Sequence, residues 1–205
     1  MTSPLARSRI RINFEHLELA KGHDGFMRGK PEPTLILGVY LIEGSRLRLL
    51  ARTIMHFGTI TKRFPCTIKR FNSLLPNRYY EHQSGAHFAV LAMAIEEDRG
   101  DDVQHLYAIL DRAHALTVWS PEAVMPAPMH LHELPLDDES WWSPHRVHVM
   151  VDGQTVGERC EGDDWVDAAL TIISTEIQQT RGHRMHFRSG DDRNDWTAEL
   201  SVTVH

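Results

Sequence analysis

The chain has 205 residues, of which 41% are hydrophobic and 24% are charged. This composition excludes wholesale disorder, and the length suits one hydrophobic core or a core with a small appendage. The formal net charge of −6 argues against a duplex nucleic-acid binder, whose footprint is usually basic, so no nucleic-acid partner is expected.

Alternation of apolar and polar side chains with a period of two predicts a strand-rich first half of the chain. Residues 34–43 are apolar on both faces, which is typical of a central strand in a packed sheet. Residues 86–97 predict another buried strand, although the Ala and Met residues there also permit a helix. In chain order, we predict strands over residues 9–19, 34–43, 46–57, 62–71 and 86–97.

The clearest helix is predicted over residues 101–115, where apolar residues recur at three- and four-residue spacing. Asp101 or Asp102 can cap this helix, because a short side-chain oxygen accepts hydrogen bonds from the unpaired amides of the first turn. A short strand, LTVW, is predicted to follow over residues 116–119.

Residues 120–144 contain five of the ten prolines, so they predict extended, irregular chain rather than the interior of a sheet. We interpret this stretch as a long connection inside one domain, with a domain linker as the alternative. Trp141 and Trp142 are expected to pin it. One indole can anchor the loop while the other faces out to bind a partner, and burial of both in loop packing is the alternative.

The C-terminal third is predicted to return to strands. Residues 145–153 alternate and end in an Asp-Gly turn, whereas residues 165–179 carry both helical and strand signals. Residues 183–187 and 195–204 predict a hairpin, because both segments alternate and the polar turn SGDDRN lies between them. Many short strands with turns between them predict an antiparallel sandwich or barrel.

Three segments of the chain resemble a C2 domain. HDGFMRGKPEPTLILGVYL is similar to the first loop and following strand, and EGDDWVDAALTIISTEI to the third loop. The terminal hairpin, which ends in DWTAELSVTV, would be the last two strands. The resemblance implies an eight-stranded antiparallel sandwich that binds calcium, acidic lipids or protein partners. It also implies that the candidate calcium ligands are Asp24, Glu32, Asp163 and Asp164.

On this resemblance the chain is one C2-like domain over residues 1–205, with the helix and the proline-rich connection as insertions at about 98–144. Calcium takes about six to eight oxygen ligands, more than four carboxylates supply without carbonyls and water. A calcium-free scaffold is therefore the favoured form of this interpretation, with calcium as a candidate ligand.

Histidines give the main argument for an enzyme, since the chain has 14 of them. His130-x-His132 would share one face of an extended chain and can hold zinc or iron. A cupin-like sandwich uses such a pair followed by a carboxylate, for which Asp137 is near the right distance. Two further pairs have a three-residue spacing, which puts their members on opposite faces of a strand: His145/His148 and His183/His186.

Residues 46–70 are markedly basic. The simpler interpretation is the polar face of two strands, and the alternative is a docking surface for an acidic partner. The sequence contains no Gly-x-Ser-x-Gly elbow, no P-loop and no Gly-x-Gly-x-x-Gly motif, so nucleophilic and nucleotide chemistry have no support.

The two cysteines form no CxxC pair and the first residues lack the unbroken apolar core of a signal peptide, which favours a reducing, cytoplasmic location. We therefore predict a non-enzymatic interaction module, a C2-like adaptor or assembly subunit. Its expected partner is a protein, a second copy of itself or a membrane surface. The alternative is a metal-dependent enzyme on a cupin-like sandwich that uses His130 and His132.

Overall fold

A computed structural model describes residues 7–22, 30–83, 85–97, 101–123, 125, 127–136, 138–160, 163–175 and 180–205. Asp24 and Asp137 lie outside these ranges, so the roles predicted for them stay predictions. Within the ranges, no helix has both the length and the apolar character needed to cross a bilayer.

The strands of the first half are β1 (Arg7–Lys21), β2 (Pro33–Glu43), β3 (Arg46–His56), β4 (Cys66–Ser73), β5 (Tyr80–Gln83) and β6 (His87–Glu96). The middle of the chain contains helix α1 (Asp102–Ile109), β7 (Leu116–Trp119), β8 (Met129–His130), β9 (His145–Arg146), β10 (His148–Val151) and β11 (Gln154–Thr155). The last strands are β12 (Asp164–Ser174), β13 (Thr180–Arg188) and β14 (Asp195–Val204). Short 3-10 segments cover Leu110–Ala115, Leu131–Glu133, Glu139–Trp142 and Val156–Arg159.

Two antiparallel sheets contain the long strands. The first has the order β13-β14-β1-β4, with β5 paired to the start of β1, and the second has the order β3-β2-β6-β12-β9. Side chains from both sheets form one buried cluster, in which Phe14 and Trp196 of the first sheet meet Phe88 of the second. The prediction of a mainly β, antiparallel fold is confirmed.

The second sheet is buried on both faces, which explains its unbroken apolar strands. Alternate residues of β2 belong to different clusters: Leu35 and Leu37 face the first sheet, whereas Ile36 and Tyr40 face the other way. All ten residues of β6 are buried for the same reason. A strand with no solvent-facing side must be apolar at consecutive positions.

The outer face of the second sheet is covered by the segment between β6 and β12. We call this segment the cover. It contains α1, the following 3-10 segment and a small sheet with the order β11-β10-β7-β8. Val103, Leu106, Trp141 and Val149 are buried in its contact with the second sheet. The cover is longer than the insertion expected at about 98–144, because the chain leaves the second sheet after Val147 and continues as β10, which pairs with β7.

The predicted helix divides in two, since α1 ends at Ile109 and the chain continues as 3-10 helix. The predicted cap is not formed, because Asp101 occupies the N-cap position without a side-chain hydrogen bond to the helix. The carboxylate of Asp102 instead accepts a hydrogen bond from the backbone N–H of Asp163 at 3.0 Å. It thereby joins the start of the cover to the start of β12.

Tyr40 fixes the cover onto the sheet. Its hydroxyl donates a hydrogen bond to the carbonyl oxygen of Leu110 at 3.1 Å, in a buried position. Gly38 makes room for this contact, because a Cβ there would lie 2.9 Å from the Tyr40 hydroxyl and 3.1 Å from Leu110. Burial, with the Asp111 charge, raises the pKa of Tyr40 far above its ordinary value, so the hydroxyl stays a donor.

Tyr40→Phe should lower the free energy of unfolding by about 1–3 kcal/mol, because it leaves a buried carbonyl without its donor. Urea denaturation measures this change. The matched control is Tyr107→Phe, since the Tyr107 hydroxyl lies 3.5 Å from the carbonyl of Arg52 in a half-buried position. An equal loss in both variants would show that the cover is not anchored at Tyr40.

Candidate functional site

Exposed cations gather along one side of the two sheets. β3 is the outermost strand of the second sheet and β4 of the first, and residues 57–65 join them. The guanidinium of Arg70 donates to the carbonyl of His56 at 2.6 Å, and that of Arg48 donates to the Tyr80 hydroxyl. We call this surface the basic edge and define it by Arg46, Arg48, Lys62, Arg63, Lys69 and Arg70, all of which are exposed.

Other arginines near the basic edge form ion pairs with acidic side chains. Arg52 pairs with Asp111 at 2.6 Å and lies 4.0 Å from the Tyr107 ring, while Arg9 pairs with Glu81 at 2.8 Å. None of the six basic-edge cations forms an ion pair with a residue that the structure describes. Their charges are therefore available to an acidic partner.

Phe71 projects from the basic edge with 69% of its surface exposed. In the pairing of β1 with β4, Lys69 is opposite His16 and Asn72 is opposite Phe14, which leaves two β4 residues against Glu15. This arrangement is a β-bulge, and it breaks the inward-outward alternation of the strand. The sequence signal for this feature is the break in period two at Arg70-Phe71, which was not used in the strand prediction.

The described candidate calcium ligands lie at one end of the second sheet. Pro33, next to Glu32, and Asp164 both pair with Glu96 of the strand between them. The carboxylate of Glu32 accepts a hydrogen bond from the Thr59 hydroxyl, and Asp163 is buried.

Among the described residues, no group of three or more His, Cys, Asp and Glu side chains could hold a metal ion. Glu32, Asp163 and Asp164 thus do not form a calcium site by themselves, and calcium binding stays a prediction that involves Asp24.

His130 and His132 lie next to each other, but not as an extended pair. The chain turns into a 3-10 segment after His130, and the two rings stack with centroids 5.6 Å apart and an angle of 18° between planes. Nδ1 of His130 lies 3.1 Å from the carbonyl oxygen of Leu116, and Glu133 accepts the backbone N–H of His130 at 3.0 Å. Within the described chain they belong to no three-ligand group.

Trp141 and Trp142 take part in the packing of the proline-rich connection. Trp141 is buried where the cover packs on the second sheet, with its ring centroid 4.9 Å from that of His145. Trp142 is half-buried and its indole N–H donates to the carbonyl of Leu136 at 3.0 Å. Both indoles thus serve the packing interpretation better than the partner-binding one.

Neither cysteine has the properties of a catalytic nucleophile. Burial first, and then the charges of Asp102 and Asp163, raise the pKa of Cys160 to about 12. Burial also raises the pKa of Cys66. Both thiols thus stay protonated at neutral pH, whereas nucleophilic attack needs the thiolate.

His183 and His186 lie on opposite faces of β13, as their spacing predicts. His183 is buried, and its Nδ1 lies 3.0 Å from the Thr171 hydroxyl. Burial, and to a lesser extent the charge of Arg181, lowers the pKa of His183 to about 4. His186 is exposed and its Nε2 lies 2.8 Å from the Asp195 carboxylate.

No protein-family model matches this chain, and none of the curated proteins matches it significantly. Its function is therefore inferred from the geometry and charge of the surfaces described above.

The depressed pKa of His183 should make the fold less stable in mild acid. Above about pH 6.5 the imidazole is neutral in both states, whereas between about pH 6.5 and 4 only the unfolded chain gains the proton. The free energy of unfolding should fall by up to about 3 kcal/mol across this range. His183→Gln should remove that part of the pH dependence in urea denaturation.

His186→Gln is the matched control on the exposed face of the same strand, and it should keep the loss that His183→Gln removes. An unchanged pH profile in His183→Gln would contradict the assignment of a neutral, buried imidazole.

Proposed function

We propose that this protein is a non-enzymatic interaction module, a C2-like adaptor that binds an anionic membrane surface through its basic edge. The observation that carries the proposal is the set of six exposed cations without an ion-pair partner among the described residues, on a chain of net charge −6. Against that background, a strip of one sign creates a local positive potential that steers acidic partners.

The shape of the basic edge favours an extended partner over a small ligand. Its cations run from Arg46, at the start of β3, past the end of that strand to Lys62 and Arg63. An 11-residue strand such as β3 spans about 36 Å at roughly 3.3 Å per residue. A membrane contacts charges over such a distance, and each Lys or Arg near an anionic surface contributes about 1 kcal/mol.

Phe71 supports the membrane as the partner. Its ring is exposed at the bulge of β4, directly after Lys69 and Arg70 in the chain. An aromatic side chain beside cations can enter the boundary between headgroups and acyl chains, while the cations stay with the headgroups.

The arrangement of the strands supports the C2-like part of the proposal. Among the described residues, eight strands have eight or more residues, and four of them lie in each of the two large sheets. An eight-stranded antiparallel sandwich is what the C2 resemblance implies. The described acidic residues of its first and third loops lie at one end of the second sheet.

The protein should cosediment with vesicles containing phosphatidylserine and not with neutral phosphatidylcholine vesicles. Binding should weaken as salt rises from 0.05 to 0.5 M because exposed charges are screened over about 10 Å at 0.1 M. Lys69→Glu with Arg70→Glu should weaken binding by about tenfold or more, and Phe71→Ala several-fold.

The charge-matched control is Arg112→Glu with Arg193→Glu, since these exposed arginines do not belong to the basic edge and pair with Asp152 and Asp191. This control should bind vesicles as the wild type does. Equal binding to both vesicle types, or none to either, would overturn the membrane as partner. Binding to polyglutamate without binding to vesicles would assign the basic edge to an acidic protein.

A further inference from the structure

A groove lies between β12 and the cover, at the opposite side of the second sheet from the basic edge. It has a volume of about 560 Å³. One wall is formed by Trp165, Val166 and Asp167 of β12, and the other by residues 147–150 and the 3-10 segment Val156–Arg159. This volume is in the range of pockets that bind drug-sized ligands or short peptide segments.

The groove lies beside β12 at the place where the neighbouring strand β9 has already ended. β9 pairs with β12 at Ala169 and Leu170, and the N–H of Val147 donates to the carbonyl of Ala168 at 2.9 Å. The chain then leaves β12, because β10 pairs with β7 instead. Asp164, Trp165 and Asp167 pair with β6 on one side, where Val166 falls in a β-bulge, and no described strand pairs with residues 164–167 on the other side.

An open strand edge of four residues is about 13 Å long at roughly 3.3 Å per residue. Unpaired backbone groups at such an edge are satisfied by another extended chain, which supplies donors and acceptors at the same repeat. A small apolar molecule fills volume but does not supply this repeat. The open edge thus selects a peptide.

The walls of the groove provide contacts for apolar side chains. Trp165 packs flat against Gly157, where a Cβ would lie 2.8 Å from the indole ring. Trp119 stacks on the exposed His148 with ring centroids 5.3 Å apart and an angle of 19°. Val149 is buried below them. Two indoles and an apolar floor favour an aromatic or large aliphatic side chain.

Asp167 closes one end of the groove. Its carboxylate pairs with Nε of Arg146 at 2.5 Å and accepts the backbone N–H of Arg188 at 3.0 Å. It also accepts the backbone N–H of Ala168 at 2.9 Å. The charges of Arg146 and Asp167 therefore compensate each other, so this end of the groove does not select a strongly charged ligand.

We propose that this groove binds an extended segment of a partner protein, about four residues long, that adds a strand antiparallel to β12 at residues 164–167. A large apolar side chain of the segment lies against Trp165. The proposal deepens the adaptor role and rests on it for the biological partner, but it uses a surface separate from the basic edge.

The experiment starts from a phage-displayed library of random heptapeptides selected on the full-length protein. Selected sequences are made as soluble, capped peptides, and their affinities are measured by calorimetry for wild type, Trp165→Ala and His148→Ala. The peptides should share a large apolar residue, and both variants should bind them at least about tenfold more weakly. His148 is exposed, so its substitution leaves the fold intact, which circular dichroism checks for both variants.

Single N-methylation along the best peptide tests strand addition. Methyl groups should abolish binding at alternate positions and be tolerated in between, because only every second N–H of a strand faces one neighbour. Hydrogen exchange should show added protection on binding at those amides of residues 164–167 that face the groove. Uniform tolerance of N-methylation, or no peptide whose binding depends on Trp165 and His148, would overturn the proposal.

Phe71→Ala is the control for position, and it should bind the peptides as the wild type does. Trp165→Ala should in turn keep its binding to phosphatidylserine vesicles. A wild-type protein that binds the peptides but not the vesicles refutes only the membrane proposal, and one that binds the vesicles but no Trp165-dependent peptide refutes only the groove. The two proposals therefore fail independently.

Discussion

The structure depends on burial of the second sheet from both sides. β2 and β6 have no face that water reaches, so the first sheet alone cannot complete their burial. The cover is therefore an integral third layer rather than an appendage, and the hydrogen bond from Tyr40 to Leu110 lies within its contact with the sheet. The same requirement explains why the most apolar strands are central in the order β3-β2-β6-β12-β9.

Much of this architecture could be predicted because alternation and apolar runs report local burial. The strands near β1, β2, β3, β6 and β14 agree with their predicted ranges to within a few residues. The ambiguous stretch after residue 164 is a strand, since its partners β6 and β9 decide a conformation that its own residues leave open. The prediction that the side chain of Asp101 or Asp102 caps α1 was wrong, since Asp101 makes no such hydrogen bond and the Asp102 carboxylate accepts one from Asp163 instead.

The candidate surfaces were harder to predict, because both arise where regular pairing breaks. Phe71 is exposed by a bulge between β1 and β4, and the groove exists because the chain leaves β12 after Val147. Neither event has a strong local signal, since each depends on a partner strand far away in the chain. The basic character of residues 46–70 was visible, but only the three-dimensional arrangement separates Arg52, which pairs with Asp111, from the six basic-edge cations, which form no ion pair with a described residue.

The strand order of the second sheet places the basic edge and the groove on opposite sides of that sheet. β3 and β9 are its first and last strands, so about 19 Å separates them at roughly 4.8 Å per step. If the basic edge holds the protein on a membrane as proposed, the groove on the other side faces the solvent. A peptide partner in the groove would then meet further membrane-bound molecules at a raised effective concentration, which increases avidity without any new contact.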